Sequence, residues 1–169
     1  EKKCTLYKKY TSYKKCIPYL ILAGFTFFFC WWFVGRHGIF GAKVDWLSQH
    51  SVLPDYFRQQ FYATGKIFPE FAPNLGGGQN IYHFAYYGLY SPLILPSYLL
   101  PFVKMSDYIM VISITGLTVS VLLFYYWLKS RKMDTGVAFI ISLMFLLAGP
   151  MIGQYSGQIM FVDYMPFLC

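Results

Sequence analysis

The run from Ile109 to Leu128 constrains this chain most: 20 residues without a charged side chain, closed by Tyr125, Tyr126 and Trp127 and followed at once by Lys129, Arg131 and Lys132. About 17–25 such residues are needed to carry a helix across a bilayer. Aromatic residues followed by cations mark the point where a span re-enters water on the cytoplasmic side. A second run, Ile17 to Val34, has 18 uncharged residues and carries Trp31 and Trp32 near its far end. Lys2, Lys3, Lys8, Lys9, Lys14 and Lys15 precede it. These two short basic segments hold 9 of the 14 basic residues, so the +7 net charge is a topological signal rather than a uniform coat. Both runs then predict the same arrangement: a cytoplasmic N-terminus at 1–16, a span outward at 17–34 and a span inward at 109–128.

The apolar run at 17–34 exceeds the ~7–15 residues of a signal-peptide core, and no small-x-small cleavage site follows it. It is read as a retained signal-anchor. Val137 to Ile152 is expected to return outward as a third span. Beyond a short polar break at 153–157, an apolar stretch carrying Asp163 begins, and the 169 residues end within it. The expectation is the N-terminal part of a larger membrane protein, inactive when isolated because later helices would be needed to close a lipid groove.

Composition agrees with this class: 12% of residues are charged, against the ~25% of soluble domains. Tyr interleaved with Lys in the segment 6–15 is a pattern seen on nucleic-acid surfaces, but span-flanking positive charge accounts for it, and no nucleic-acid partner is expected. Cys4, Cys16, Cys30 and Cys169 show no C-x-x-C spacing and read as free thiols, not as a zinc site.

Between the spans lies a large outer loop, residues 36–107. Its first part, Lys43 to Asn80, holds three of the seven acidic residues, Asp45, Asp55 and Glu70. Trp46, His50, Leu53, Phe57 and Phe61 recur at steps of three and four, one stripe of a helix. Pro54 should kink that helix or start a new one with Asp55 in its first turn. The expectation is two short amphipathic helices lying on the membrane surface with the apolar side down. Gly65, Pro69, Pro73 and Gly76–Gly78 predict a loop over Lys66 to Asn80. Ile81 to Val103 is apolar but interrupted by Pro92, Pro96 and Pro101, so it reads as an interfacial or re-entrant segment packed on protein, not a clean span. The fold class expected is all-α, a polytopic integral membrane protein, with 17–169 forming one transmembrane domain.

Four phrases resemble the bacterial YfhO family of polytopic membrane proteins: VDWLSQHSVLPDYFR at 44–58, P-x-F-x-x-N-L-G-x-G-Q-N at 69–80, FAYYGLYSPLILP at 84–96 and SGQIMFVDYMPFL at 156–168. Their order and spacing resemble an N-terminal segment of that family over roughly residues 17–168. The resemblance implies a GT-C-like glycosyltransferase. It further implies a polyprenyl-phosphate sugar as donor, a cell-wall or membrane polymer such as a teichoic acid as acceptor, and the lipid bilayer as host. It places Asp45 at the first-loop acid of that class and Asp163 at a second acidic position. Some relatives carry two adjacent acids where this chain has Val44-Asp45-Trp46, so a divalent metal is left open and no ligands are assigned.

Sugar transfer needs a base for the acceptor hydroxyl and a group that stabilises the departing phosphate. Asp45 is the candidate catalytic base, although an Asp there is equally suited to cap a helix. Asp163, ionisable within an apolar run, is a candidate substrate or metal contact, or a helix cap. Arg58 has the planar fork that suits a phosphate, with Arg36, Lys43 and Lys66 as competitors; each is equally an interfacial cation. His50 and His83 are candidate contacts, though His50 on an apolar stripe reads first as a packed residue. The glycine-rich 74–80 segment is not a P-loop. Gln79, Asn80, Tyr82, Tyr86 and Tyr87 are placed to meet sugar hydroxyls and ring faces. Two other classes fit the same features: a transporter or flippase with Pro-broken segments and an intramembrane acid, and a non-catalytic scaffold that binds wall polymers.

Overall fold

The computed structural model describes residues 2–37 and 45–148. Asp163, the end of the expected third span and the apolar segment after it lie outside the described residues. The described chain is mostly helical. Helix α1, Lys2–His37, carries the basic head and the first apolar run as one helix. Helices α2 (Val52–Thr64), α3 (Met105–Ser130) and α4 (Thr135–Leu147) follow.

Two helical segments are long and apolar enough to cross a bilayer, Lys15–Val34 and Met105–Ser130, and they contain the two runs expected to do so. Residues of α1 such as Leu20, Ile21, Phe27, Phe28 and Trp31 stand exposed. A water-facing helix does not carry such a surface, whereas lipid tails cover it readily. α4 begins where the third span was expected, with Asp134 accepting hydrogen bonds from the Gly136 N–H (2.8 Å) and the Val137 N–H (3.3 Å) as its N-cap. Its 13 described residues reach ~20 Å, less than the ~30 Å hydrocarbon core.

α1, α3 and α4 pack together around Leu22, Cys30, Ile109, Leu117, Val121, Tyr125, Ala138 and Leu146. Hydroxyls on these helices bond back to their own helix: Thr26 to the Leu22 carbonyl, Thr118 to Ile114, Ser120 to Gly116 and Ser142 to Ala138. Such i→i−4 bonds let a polar side chain sit in an apolar medium without a distant partner.

Residues 45–103 form a lobe at one end of this bundle, with its own core of Leu53, Phe57, Ala72, Ile81, Tyr87, Leu89 and Tyr98. The apolar stripe expected at 46–61 exists, and Trp46, His50, Leu53 and Phe57 are buried on it. Its orientation corrects the surface-lying reading. The stripe covers residues 81–99 and the end of α3, so its apolar area is satisfied by protein and not by lipid. The helical break also falls earlier than Pro54. A π-helical turn, Trp46–His50, is followed by Ser51, and α2 starts at Val52. Pro54 sits in the first turn of α2, where a missing N–H costs nothing.

The 66–80 segment is a loop except for a two-residue antiparallel ladder, β1 (Phe71–Ala72) with β2 (Gln79–Asn80), Phe71 opposite Asn80. At two residues a strand, the ladder leaves the helical class unchanged. Gly76, Gly77 and Gly78 at φ of 56°, 83° and 100° reverse the backbone, and the ladder closes across them. Residues 81–103 hold two 3-10 helices, Ile81–Tyr87 and Leu95–Leu99, joined by turns. The segment packs on α2 and α3 and is not a span, as its three prolines required.

Candidate functional site

Asp45 opens the lobe. Its backbone is helical (φ −70°, ψ −32°), its side chain is exposed, and the carboxylate makes no capping bond to the turn it precedes. The turn after it is wound wide. The Ser51 N–H and Ser51 Oγ both donate to the Trp46 carbonyl, at 3.0 and 2.9 Å. An i→i−5 closure sets residues five apart on one side of the helix, and single π turns of this kind recur at functional sites. Here it places His50 one wide turn from Asp45, near enough for the carboxylate charge to act on the imidazole.

His50 is buried between two rings, Trp46 edge-on with centroids 6.5 Å apart and Tyr87 tilted at 5.7 Å. Its Nδ1 is buried without a hydrogen-bond partner. Burial lowers its pKa, and the Asp45 charge opposes that shift in part. Tyr87 donates from its hydroxyl to Gln49 Oε1. Its ring lies 4.1 Å from that of the exposed Tyr86. The Tyr87 hydroxyl is pushed up to about 12, first by its hydrogen bond with Tyr86, then by burial, with the Asp45 charge adding to the shift. Asp45, Gln49, His50, Tyr86 and Tyr87 thus form one group: an accessible carboxylate beside a buried imidazole whose burial disfavours the charged form, and two tyrosines. Such a group can accept a proton at Asp45 and hydrogen-bond a polyhydroxyl ligand.

Gln79 and Asn80 stand elsewhere, on β2, separated from Tyr86 by the 3-10 helix. Asn80 caps that helix, its Oδ1 accepting from the Tyr82 N–H at 2.9 Å. The Gln79 amide lies over Gly76, where an added Cβ would stand 2.1 Å from Nε2. Arg58, expected at a phosphate, is instead buried. Its Nη1 donates to the Leu100 and Val103 carbonyls at 3.1 and 2.9 Å, and its Nη2 to Asp55 Oδ1 at 2.6 Å. The fork that suits a phosphate suits these oxygens equally. Lys66 pairs loosely with Glu70 at 3.8 Å, Arg36 lies 5.3 Å from the Trp32 ring, and His83 is exposed.

Two features escaped the sequence reading. Gln49 has no periodic or motif signal, because its role depends on a residue 38 positions away. Tyr90 is parallel to Tyr82, with ring centroids 6.1 Å apart, and packs on Phe68 at 5.1 Å, forming an exposed aromatic ledge beside the hairpin. Among the described residues no three of His, Cys, Asp and Glu gather closely enough to hold a metal ion.

A mostly helical protein with two long apolar helices whose apolar side chains stand exposed has the features of a membrane protein. The chain belongs to the family described as bacterial membrane protein YfhO, which it matches over residues 15–168. No curated protein and no solved structure matches it.

Proposed function

We propose that this chain is part of a GT-C-like membrane glycosyltransferase, one that moves a sugar from a polyprenyl-phosphate donor to an extracytoplasmic cell-wall or membrane polymer such as a teichoic acid. The observation that carries the reading is the uncapped, exposed carboxylate of Asp45 at the start of the lobe, facing a buried imidazole and two tyrosines. In the reaction, an acceptor hydroxyl oxygen attacks the anomeric carbon. The bond from that carbon to the lipid-phosphate oxygen breaks, and its electron pair leaves with the phosphate. Asp45 takes the hydroxyl proton as general base, giving inversion at the sugar. His50 and Tyr87 hold the shape and polarity of the wall behind Asp45. Tyr86, together with Gln79 and Asn80 on the hairpin, meets sugar hydroxyls and ring faces. Arg58 is a positioning residue that fixes residues 100–103 under the lobe. Asp163 is assigned a second acidic contact on the acceptor side.

The proposed topology places the lobe outside the cytoplasm and the basic segments inside. Its support is that Lys15 and Lys129 line one cavity, so the two basic segments meet at the same end of the bundle. The experiment uses membranes containing the full-length protein, labelled polyprenyl-phosphate sugar and wall polymer. Asp45→Asn is expected to lower transfer by about 10²–10⁴-fold, the usual contribution of a positioned base. Transfer equal to the parent sinks the assignment of Asp45. Ligand-dependent transport in proteoliposomes without covalent transfer points instead to a flippase.

A further inference from the structure

At the end of the bundle away from the lobe, α1 and the α3–α4 turn enclose a cavity of about 600 Å³, lined by Lys15, Pro18, Tyr19, Tyr125, Tyr126, Lys129, Ser130 and Thr135. From Tyr108, which meets the lobe, to Tyr125, which lines the cavity, α3 rises ~26 Å, so the cavity is no extension of the Asp45 site. Its lining combines two ammonium groups, three phenols and two aliphatic hydroxyls, with ring faces for walls.

Lys129 is held in place. Its Nζ donates to the Met133 carbonyl at 2.8 Å and to Thr135 Oγ1 at 2.9 Å, which leaves one N–H for an occupant. Tyr19 meets Tyr125 edge-on at 4.8 Å and thereby joins α1 to α3 across the cavity. The neighbouring acid, Asp134, turns its Oδ1 toward the first amides of α4. Those backbone bonds are the main cause that holds its carboxyl below the ordinary carboxylate range, with the Lys129 charge a smaller one. Arg131, over the Trp127 ring at 5.7 Å, and Lys132 add positive charge at the rim.

We infer that this cavity is a binding site for the phosphate headgroup of an anionic phospholipid. Ammonium and hydroxyl groups lining one cavity are the chemistry that holds phosphate oxygens, although the Ser130 hydroxyl is turned to the Trp127 carbonyl at 2.7 Å. A basic pocket between membrane helices is where lipid headgroups are recognised. The bilayer is the source because the cavity lies between the two membrane-crossing helices, at the level of the exposed Tyr126 and Trp127, whose amphipathic rings belong at a headgroup boundary. The inference stands on membrane residence and does not require glycosyl transfer.

The test is native mass spectrometry of the full-length protein released from nanodiscs that contain phosphatidylglycerol and phosphatidylcholine with identical acyl chains. One phosphatidylglycerol should be retained in preference to phosphatidylcholine. Each Lys near an anionic lipid is worth about fivefold in that preference, so Lys15→Gln should reduce it by about that factor and the Lys15→Gln/Lys129→Gln pair should abolish it. Because Lys129 also braces the turn, Lys15→Gln, which touches no hydrogen bond of the turn, keeps the test independent of folding. Lys66→Gln, in the lobe, should change nothing. Equal retention of the two lipids overturns the inference, as does a parent-like preference in the double variant. Displacement of the lipid by millimolar glycerol 3-phosphate, with equal thermal stabilisation, would make this a soluble-phosphate site and overturn the lipid assignment.

Discussion

The bundle and the lobe satisfy their polar groups in opposite ways. In α1, α3 and α4 most hydroxyls bond to the carbonyl four residues back, as Thr26 does to Leu22 and Thr118 to Ile114, while the buried Ser113 hydroxyl has no partner among the described residues. In the lobe, polar bonds cross long stretches of chain: Arg58 to Leu100 and Val103, Tyr62 to the Tyr98 carbonyl, Tyr87 to Gln49, and Tyr108 of α3 to the Leu93 carbonyl at 2.6 Å. The medium explains the difference. A helix in lipid must close its hydrogen bonds within itself, because no water waits to replace a lost partner. The lobe has short 3-10 helices and turns that hold little structure alone, so distant partners fix their relative positions. The lesson is that the lobe's geometry, and with it any chemistry at Asp45, depends on a few long-range bonds, whereas the bundle does not.

The strongest challenge to this contrast is Arg58→Met. It leaves the Leu100 and Val103 carbonyls without their side-chain donor in a site where Arg58 is 6% exposed, and it takes one of two side-chain donors from Asp55, which keeps Gln59 Nε2 on Oδ2 at 2.8 Å. The remaining carboxylate of Asp55 is 32% exposed, so the cost is that of hydrogen bonds to a charged group, about 1.5–3 kcal/mol. Thermal unfolding of the lobe should therefore come well below the parent, and trypsin should cleave faster after Lys104, next to the segment that Arg58 holds. Arg58→Lys should fall between the two, since an ammonium keeps the charge but cannot span three acceptors. A lobe as stable in Arg58→Met as in the parent breaks the comparison.

A smaller effect comes from pH. His50 has its folded pKa depressed by burial, so the folded lobe favours the neutral ring. That contribution is fully present above the unfolded value of ~6.5 and is lost as pH falls through the depressed folded value. Lobe stability should decline on acidification below about pH 6.5, and His50→Phe should flatten that decline. Unfolding curves at several pH values, followed by Trp fluorescence, check it. A His50→Phe profile that keeps the parent's slope assigns the acid sensitivity elsewhere.

The smallest effect sharpens the other half of the contrast. Thr118→Val removes only a bond to the residue's own helix and keeps the β-branched shape. Bundle stability in detergent should change by no more than about 0.5 kcal/mol, because the Ile114 carbonyl already accepts within the helix. A loss comparable to that of Arg58→Met would mean that bundle hydroxyls carry the fold as well.

The sequence by itself determined the elements whose cause is local. Apolar runs of sufficient length fix the two helices able to cross a bilayer, Lys and Arg mark one end of the bundle, and a helical stripe fixes the buried face at 46–61. Pro92, Pro96 and Pro101 rule out a span over 81–103, because a proline removes the donor on which a helix interior depends. Asp45 was legible as an acid following a span. Tertiary structure alone decided what that stripe covers, since periodicity says that a face is buried but not against what. It also decided that Arg58 is a strut. A guanidinium binds carbonyls and phosphates by the same geometry, so only the placement of Leu100 and Val103 beside it separates the two uses. Gln49 with Tyr87, and Lys15 with Lys129 across one cavity, are likewise pairs that no local pattern couples. They meet because packing brings distant chain segments together.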